Sequence, residues 1–184
     1  MTIPIKTMTV SEFDHWVLLP ENSDTSYEYI GEEIVEEVSN NYASLVALEI
    51  GFLIKLYLKQ HKMRGYVTGA DGGYVVAGER YIPDVAYISA ERQSEPSHDA
   101  YNPNAPDLAV EVVSPTDSER NLAIKVANYL VAGTVIWVVY PDRREVNIFV
   151  PQQAVKQLGA NDVLDGSGIF PEFNLKVSDI FPEE

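Results

Sequence analysis

Tyr81-Ile-Pro-Asp-Val-Ala-Tyr-Ile88 and Asp107-Leu-Ala-Val-Glu-Val-Val113 are the two stretches whose reading decides the fold. Both are apolar, strand-forming runs, and a carboxylate interrupts each: Asp84 in the first, Glu111 in the second. A charge inside such a run is costly to bury unless something compensates for it. Side chains alternate across a strand. Asp84 therefore shares its face with Ile82, Ala86 and Ile88, and Glu111 shares its face with Ala109 and Val113. Two carboxylates on apolar faces of neighbouring strands repel and raise each other's pKa unless a cation lies between them. With a lysine nearby they are the minimum parts of a site for one divalent cation and an activated water. Lys125 is the lysine that follows.

The segment Leu108 to Val113, a helix opening at Ser114-Pro-Thr-Asp-Ser118 and ending at Gly133, and an apolar strand from Thr134 to Tyr140 form a strand–helix–strand unit. At 100° per residue, Leu122, Val126, Tyr129 and Leu130 make one apolar arc of that helix, with Lys125 at its edge, able to reach over the sheet rim toward Glu111. Upstream, Thr9-Val-Ser-Glu12 is a capping box opening a short helix. Tyr27 to Ile30 and Glu33 to Val38 read as a hairpin around Gly31-Glu32. Ser39-Asn40-Asn41 caps a long helix whose Leu45, Leu48, Phe52, Leu53, Leu56 and Tyr57 recur at helical spacing. Strands follow at Tyr66 to Thr68, Tyr74 to Gly78 and Tyr81 to Ile88. A polar segment, Ser89 to Pro106, is long for an internal connection. Beyond Glu145 to Val150 the chain reads as short strands and turns. The expectation is one domain over residues 1–184.

The composition is that of a soluble globular protein, 46% hydrophobic and 22% charged over 184 residues. No apolar run is long enough to span a membrane and no leader precedes the first helix, so a cytoplasmic protein with no membrane partner is expected. There is no cysteine, which excludes disulfides, thiolate catalysis and cysteine-ligated metals. Lys and Arg number 13 against 28 Asp and Glu, a net charge of −15. Proteins that bind phosphate backbones usually carry the opposite sign. A carboxylate site that loads a divalent cation changes its own local charge, and a basic cleft can be hidden in an acidic total.

Other uses of these residues remain open at this level. A lone carboxylate in an apolar strand also serves as an edge-strand device or as the partner of a buried arginine. A lysine at a helix edge also snorkels to solvent. Two further acids, Glu28 in the alternating strand Tyr27-Glu-Tyr-Ile30 and Glu49 in the long helix, stand as candidates for a supporting role. Glu49, between Leu48 and Ile50, is expected to be buried or paired.

At these residues the chain resembles the PD-(D/E)XK nuclease superfamily, and within it the Uma-type restriction-endonuclease family. The matching pieces are Tyr27-Glu-Tyr-Ile-Gly-Glu-Glu-Ile34, Tyr81-Ile-Pro-Asp-Val-Ala86, Ala105-Pro-Asp-Leu-Ala-Val-Glu-Val-Val-Ser-Pro115, Lys125-Val-Ala-Asn-Tyr129 and Gly133-Thr-Val-Ile-Trp-Val-Val-Tyr-Pro141. The resemblance implies an α/β (α+β), restriction-endonuclease-like mixed sheet flanked by helices, with an N-terminal hairpin extension. It implies a Mg²⁺ or Mn²⁺ ion held by Asp84, Glu111 and the main-chain carbonyl of Val112, and hydrolysis of DNA phosphodiesters. Lys125 would position or deprotonate the attacking water, with Glu28 as the preferred fourth acid. No small-molecule cofactor is implied. The superfamily lysine normally stands two residues after the second acid, where this chain has Val113, so Lys125 on the following helix takes its place. Where the family often has a histidine near the start of the long helix, this chain has Asn40-Asn41-Tyr42.

Duplex cleavage on both strands is simplest for a two-fold dimer, so a homodimer is expected. Residues 134–150 could supply its interface, although core is their more natural use. Two other readings compete. A silent nuclease-fold module used for protein binding or assembly would bind no metal. A metal-free carboxylate-pair hydrolase acting on sugars would set its two acids across an open cleft.

Overall fold

In the computed structural model, which describes residues 8–182, the chain runs α1 (Val10–Trp16), β1 (Tyr27–Ile30), β2 (Glu33–Glu36), α2 (Asn41–Gln60), β3 (Gly65–Gly69), β4 (Gly73–Val76), β5 (Glu79–Tyr81), β6 (Val85–Ser89), β7 (Tyr101–Asn102), β8 (Leu108–Val112), α3 (Glu119–Val131), β9 (Val135–Tyr140), β10 (Glu145–Phe149), β11 (Lys156–Leu158), β12 (Val163–Gly166) and β13 (Phe170–Lys176). The N-terminal residues that bear on the expected absence of a leader lie outside the described residues.

The central sheet has the order β11-β10-β9-β8-β6-β3. Its parallel pair is β8 and β9, and α3 is the crossover between them. A second sheet, β2-β1-β5-β4-β7, includes the N-terminal hairpin. Alternation along the central strands divides the core in two. Val85, Tyr87, Leu108, Val110, Trp137 and Val139 face α2 and the C-terminal strands. Ala86, Ala109, Ile136 and Val138 face the opposite way, into a smaller core with Ile30, Tyr74, Tyr81 and Tyr129 of α3. The architecture is thus a mixed sheet with helices on both faces. Strand β9 is buried from Val135 to Val139, with Tyr140 half-buried at its end, so the apolar run 134–139 is core.

The hairpin turns on Gly31 and Glu32, both at positive φ (57° and 67°), the two-residue turn whose twist suits antiparallel strands. Gly31 is needed twice. Its φ favours glycine, and a Cβ there would sit 3.1 Å from Ile124 of α3. Gly133, at φ 76°, closes α3 in the left-handed conformation that stops a helix.

Four expectations need correction. The strand expected over Tyr81–Ile88 is two strands in different sheets, β5 and β6, broken at Ile82-Pro83-Asp84. Pro83 has no N–H to give a ladder, and the chain changes sheets there. The helix expected from Ser114 begins at Glu119, capped by the Ser118 side chain. The Ser114 N–H and hydroxyl instead donate to the Asp117 carboxylate (2.7 and 2.9 Å), which closes a separate turn.

The apolar spacing expected to seat α2 lies largely on the wrong side. Leu45, Leu48, Phe52 and Leu56 are exposed, whereas Ala43, Val46, Ala47, Ile50, Ile54, Tyr57 and Leu58 are buried. The helix is apolar nearly all round, so periodicity could not choose a face. Its small residues decide the matter, because Ala43, Ala47 and Gly51 let the backbone lie close to the sheet; a Cβ on Gly51 would be 3.7 Å from Val85. Glu49 is correspondingly exposed, neither buried nor part of the site. By length and composition α2 could cross a membrane, and it is the one such helix among the described residues. Its buried side packs on β3, β6 and β8, as in a core helix.

Candidate active site

Asp84 stands at the break between β5 and β6, and Glu111 lies in β8. The β6–β8 register pairs Val85 with Val110 and Ala86 with Ala109, so its next step sets Asp84 opposite Glu111. Cross-strand neighbours on one face are within side-chain reach of each other. Asp84 Oδ2 accepts the Val112 N–H at 2.7 Å, which pins the aspartate against the end of β8.

Lys125 is not at the edge of its helix's buried side. Lys125 and Tyr129 are the two buried residues of α3, while Leu122, Val126 and Leu130 line an outer groove. The lysine Nζ lies 2.7 Å from Glu111 Oε2 and 2.9 Å from Glu28 Oε1. The Tyr129 hydroxyl donates to Glu111 Oε1 at 3.2 Å. Glu28, from β1, also accepts the Ile82 N–H at 2.6 Å through the same Oε1. Tyr81 presents its ring 5.7 Å below the ammonium. Its hydroxyl is held by Glu79 and by Asn128 Nδ2 (2.6 Å), while Glu79 Oε1 takes the Gly31 N–H at 2.7 Å. The hairpin, the β5–β6 break, β8 and α3 therefore converge on one ammonium.

A further acid, Glu37, belongs to the cleft. The strand expected over Glu33 to Val38 stops at Glu36, and Glu37 lines the cleft instead of continuing the strand alternation. The signal was present as an acid directly after an alternating strand and before a helix cap. The cleft has a volume of about 250 Å³, and its polar lining includes Glu28, Glu37, Asp84, Glu111, Asp117 and Lys125.

One ammonium faces several carboxylates, and the protonation balance reflects this. Burial pushes Asp84 up to about 6, against the lowering effects of the Val112 N–H and of Lys125. Burial also holds Glu111 well above the usual carboxylate range despite its contact with Lys125. Glu37 is raised by burial and then by the charge of Glu28. Burial alone would lower Lys125, but Glu111, Glu28 and Glu37 outweigh it and keep the ammonium charged. The site is short of positive charge.

The donor chemistry suits a hard divalent cation, which prefers carboxylate and carbonyl oxygens. Asp84 and Glu111 are paired across the strands. The Val112 N–H points at Asp84, and in extended backbone a residue's N–H and C=O point the same way, so its carbonyl is directed to the same place. Among the described residues no three His, Asp or Glu side chains are grouped closely enough to enclose an ion. The two-carboxylate and one-carbonyl set is therefore what is available. The same setting argues against a sugar hydrolase, because Asp84 is held to the Val112 N–H of the strand that carries Glu111 and does not stand across an open cleft from it.

The raised carboxylates make stability depend on pH. In the folded protein these acids hold protons that the unfolded chain has released by about pH 4 to 5. Stability therefore falls as pH climbs through that range, past about 6 where Asp84 titrates, and further as Glu111 and Glu37 ionise. Lys125 stays charged throughout and does not alter the slope. Scanning calorimetry of metal-free protein should show Tm dropping by roughly 5 °C or more between pH 5 and pH 8. Added Mn²⁺ should raise Tm more at pH 8 than at pH 5, and a Tm that is level or rises with pH would contradict this account.

A family model described as "Putative restriction endonuclease" (Uma2) matches residues 10–178. Among solved structures, the chain is similar to that of a putative nuclease belonging to DUF820 from Anabaena variabilis, with TM-score 0.81 and 21% identity over 95% of this chain and 97% of that one. At that identity the likeness concerns the fold. No protein of curated function matches. The match spans the strand pair that holds Asp84 and Glu111, the hairpin that brings Glu28 and the helix that carries Lys125, and this chain belongs to the Uma2 family of restriction-endonuclease-like proteins.

Proposed function

We propose that the protein is a metal-dependent endodeoxyribonuclease in which Asp84, Glu111 and the Val112 carbonyl hold Mg²⁺ or Mn²⁺. The observation that carries this reading is the convergence of Asp84, Glu111, Glu28 and Glu37 on a single buried ammonium, which leaves the cleft in need of a second cation. Bound there, a divalent ion would lower the pKa of a water and neutralise charge on a phosphodiester.

The chain's own residues have separable parts. Asp84 is oriented by the Val112 N–H and Glu111 by Tyr129 and Lys125, so neither ligand is free to swing away. A lysine kept protonated by three carboxylates is a poor base. Of its two expected roles, orienting water and stabilising phosphate charge suits this environment, and deprotonating the water does not. Glu28 fixes the lysine from the far side and anchors it to the β5–β6 break through Ile82. A homodimer would let two such sites cut the two strands of a duplex.

The experiment is cleavage of supercoiled plasmid and of single-stranded DNA with Mg²⁺ or Mn²⁺, alongside titration of Mn²⁺ into metal-free protein by calorimetry. The expected result is cation binding together with cleavage that a chelator stops. The silent-module reading draws on the net charge of −15 and on Lys125 already bridging Glu28 and Glu111. It gains if neither cation binds nor any DNA is cut, and cleavage unaffected by chelator would overturn the metal-dependent reading.

A further inference from the structure

The outer side of α2 carries large apolar residues that the described residues leave exposed. Leu45, Leu48 and Phe52 are 55%, 71% and 55% exposed, and Leu56 is 37% exposed. At 100° per residue these four fall within an arc of about 80°, a continuous strip along the helix. Tyr42, 42% exposed, extends it toward the N-terminal end. Together they present on the order of 400 Å² of apolar surface, a size at which surface patches mark contact sites. Two such strips laid together bury on the order of 800 Å² in total, so the side chains flanking them supply the rest of the roughly 1,600 Å² of a standard interface.

The charges along α2 indicate what covers it. Its acid, Glu49, lies in the N-terminal half, and Glu36 and Glu37 precede the helix at the cleft. Its C-terminal half and the turn beyond carry Lys55, Lys59, Lys62 and Arg64, with no acid between Glu49 and Asp71. Four of the chain's 13 basic residues thus sit in one ten-residue stretch of a chain with net charge −15. A parallel copy would set like charge on like. An antiparallel copy centred on Phe52 brings Lys55 to the level of Glu49, Lys59 to the level of Leu45 and Lys62 to the level of Tyr42, so basic halves meet acidic halves. An anionic membrane surface would attract one half of the helix and repel the other.

We propose that α2 is the two-fold interface of a homodimer, packed antiparallel about Phe52, and that Lys59 and Lys62 of each copy supply phosphate-binding charge at the rim of the other copy's cleft. The second clause rests on the nuclease reading, and the first does not. Within one copy that cleft is lined by carboxylates with Lys125 as its basic residue, and Lys125 is engaged by Glu28 and Glu111. The antiparallel arrangement accounts for how so acidic a chain could hold a polyanion, because the basic end of one helix comes level with the first turns of the other, which follow directly on the cleft residues Glu37, Val38 and Ser39.

Light scattering across micromolar concentrations tests the interface. The wild-type protein should have twice the 20.5 kDa chain mass. Phe52→Glu and Leu48→Glu should each weaken the dimer about 100-fold, as removal of a central apolar anchor does. Both positions are exposed in the single chain, so circular dichroism and melting of the separated monomers should stay those of a folded protein. A monomeric wild type, or a dimer indifferent to both substitutions, overturns the proposal. So does a monomer that co-sediments with phosphatidylglycerol vesicles through the same residues.

For the rim, Lys59→Glu combined with Lys62→Glu should lower the affinity of the dimer for a DNA duplex, measured in Ca²⁺, by about tenfold or more. The same pair in the Phe52→Glu monomer should change it little. Equal loss in both backgrounds overturns the rim clause. A dimer of the stated mass that binds no duplex in any form supports the interface and overturns the rim clause together with the nuclease reading.

Discussion

Asp84→Asn should abolish metal-dependent cleavage while leaving the protein at least as stable as its parent. Asparagine matches aspartate in shape and keeps an oxygen to accept the Val112 N–H, so the contact at the end of β8 survives. What is lost is one negative charge facing Glu111, and with it half of the carboxylate pair that would hold a cation. Loss of several kcal/mol of transition-state charge stabilisation corresponds to a rate decrease on the order of a thousandfold. Stability should move the other way at neutral pH. Burial already pushes Asp84 up to about 6, so ionising it above that pH works against the fold, and a neutral amide removes the cost. Single-turnover cleavage with Mn²⁺ and a urea titration at pH 7.5 measure the two effects. A variant that cuts within tenfold of wild type removes Asp84 from the metal site.

Lys125→Met should have the largest effect on stability. Its ammonium is the shared counter-ion of Glu111 and Glu28, and all three groups are buried. Removing one partner of a buried ion pair leaves charge without compensation and typically costs 3–5 kcal/mol. That is a large share of the roughly 5–15 kcal/mol that holds a domain together. Two features distinguish this from simple loss of packing. The deficit should shrink as pH falls toward 5, because burial already raises Glu111 and, without the ammonium that lowers it, Glu111 takes up a proton more readily. It should also shrink in the double variant Lys125→Met with Glu111→Gln, since the second substitution removes the charge the first exposed. A cost under about 1 kcal/mol, or one independent of pH, would mean that solvent rather than Lys125 balances these acids.

The carboxylate pair and the mixed sheet were legible in the chain because they depend on local pattern. Asp84 and Glu111 interrupt strand-forming runs, alternation fixes the face each shares, and the β6–β8 register then places them opposite each other. The capping box at Thr9, the Gly31-Glu32 turn and the stop at Gly133 likewise need only near neighbours and appear where expected.

The elements misread are those whose outcome depends on distant packing. Tyr81–Ile88 looks like one strand, yet it is divided between two sheets, and Asp84 stands at the division, one step beyond the β6–β8 ladder. The face of α2 was ambiguous because large apolar residues recur on both sides. Only the approach of Ala43, Ala47 and Gly51 to the sheet shows that Leu45, Leu48 and Phe52 are left outside.

The sequence by itself determined where most strands and helices lie and that two carboxylates fall on apolar faces, because side-chain alternation and helix period are properties of the local backbone. Only the tertiary structure decided that Lys125 is buried between Glu28 and Glu111, that Glu37 joins them and that Glu49 does not. Those outcomes depend on how the hairpin, the strand break and α3 meet around a shared shortage of positive charge, and contacts between segments that far apart in the chain leave no periodic trace in it.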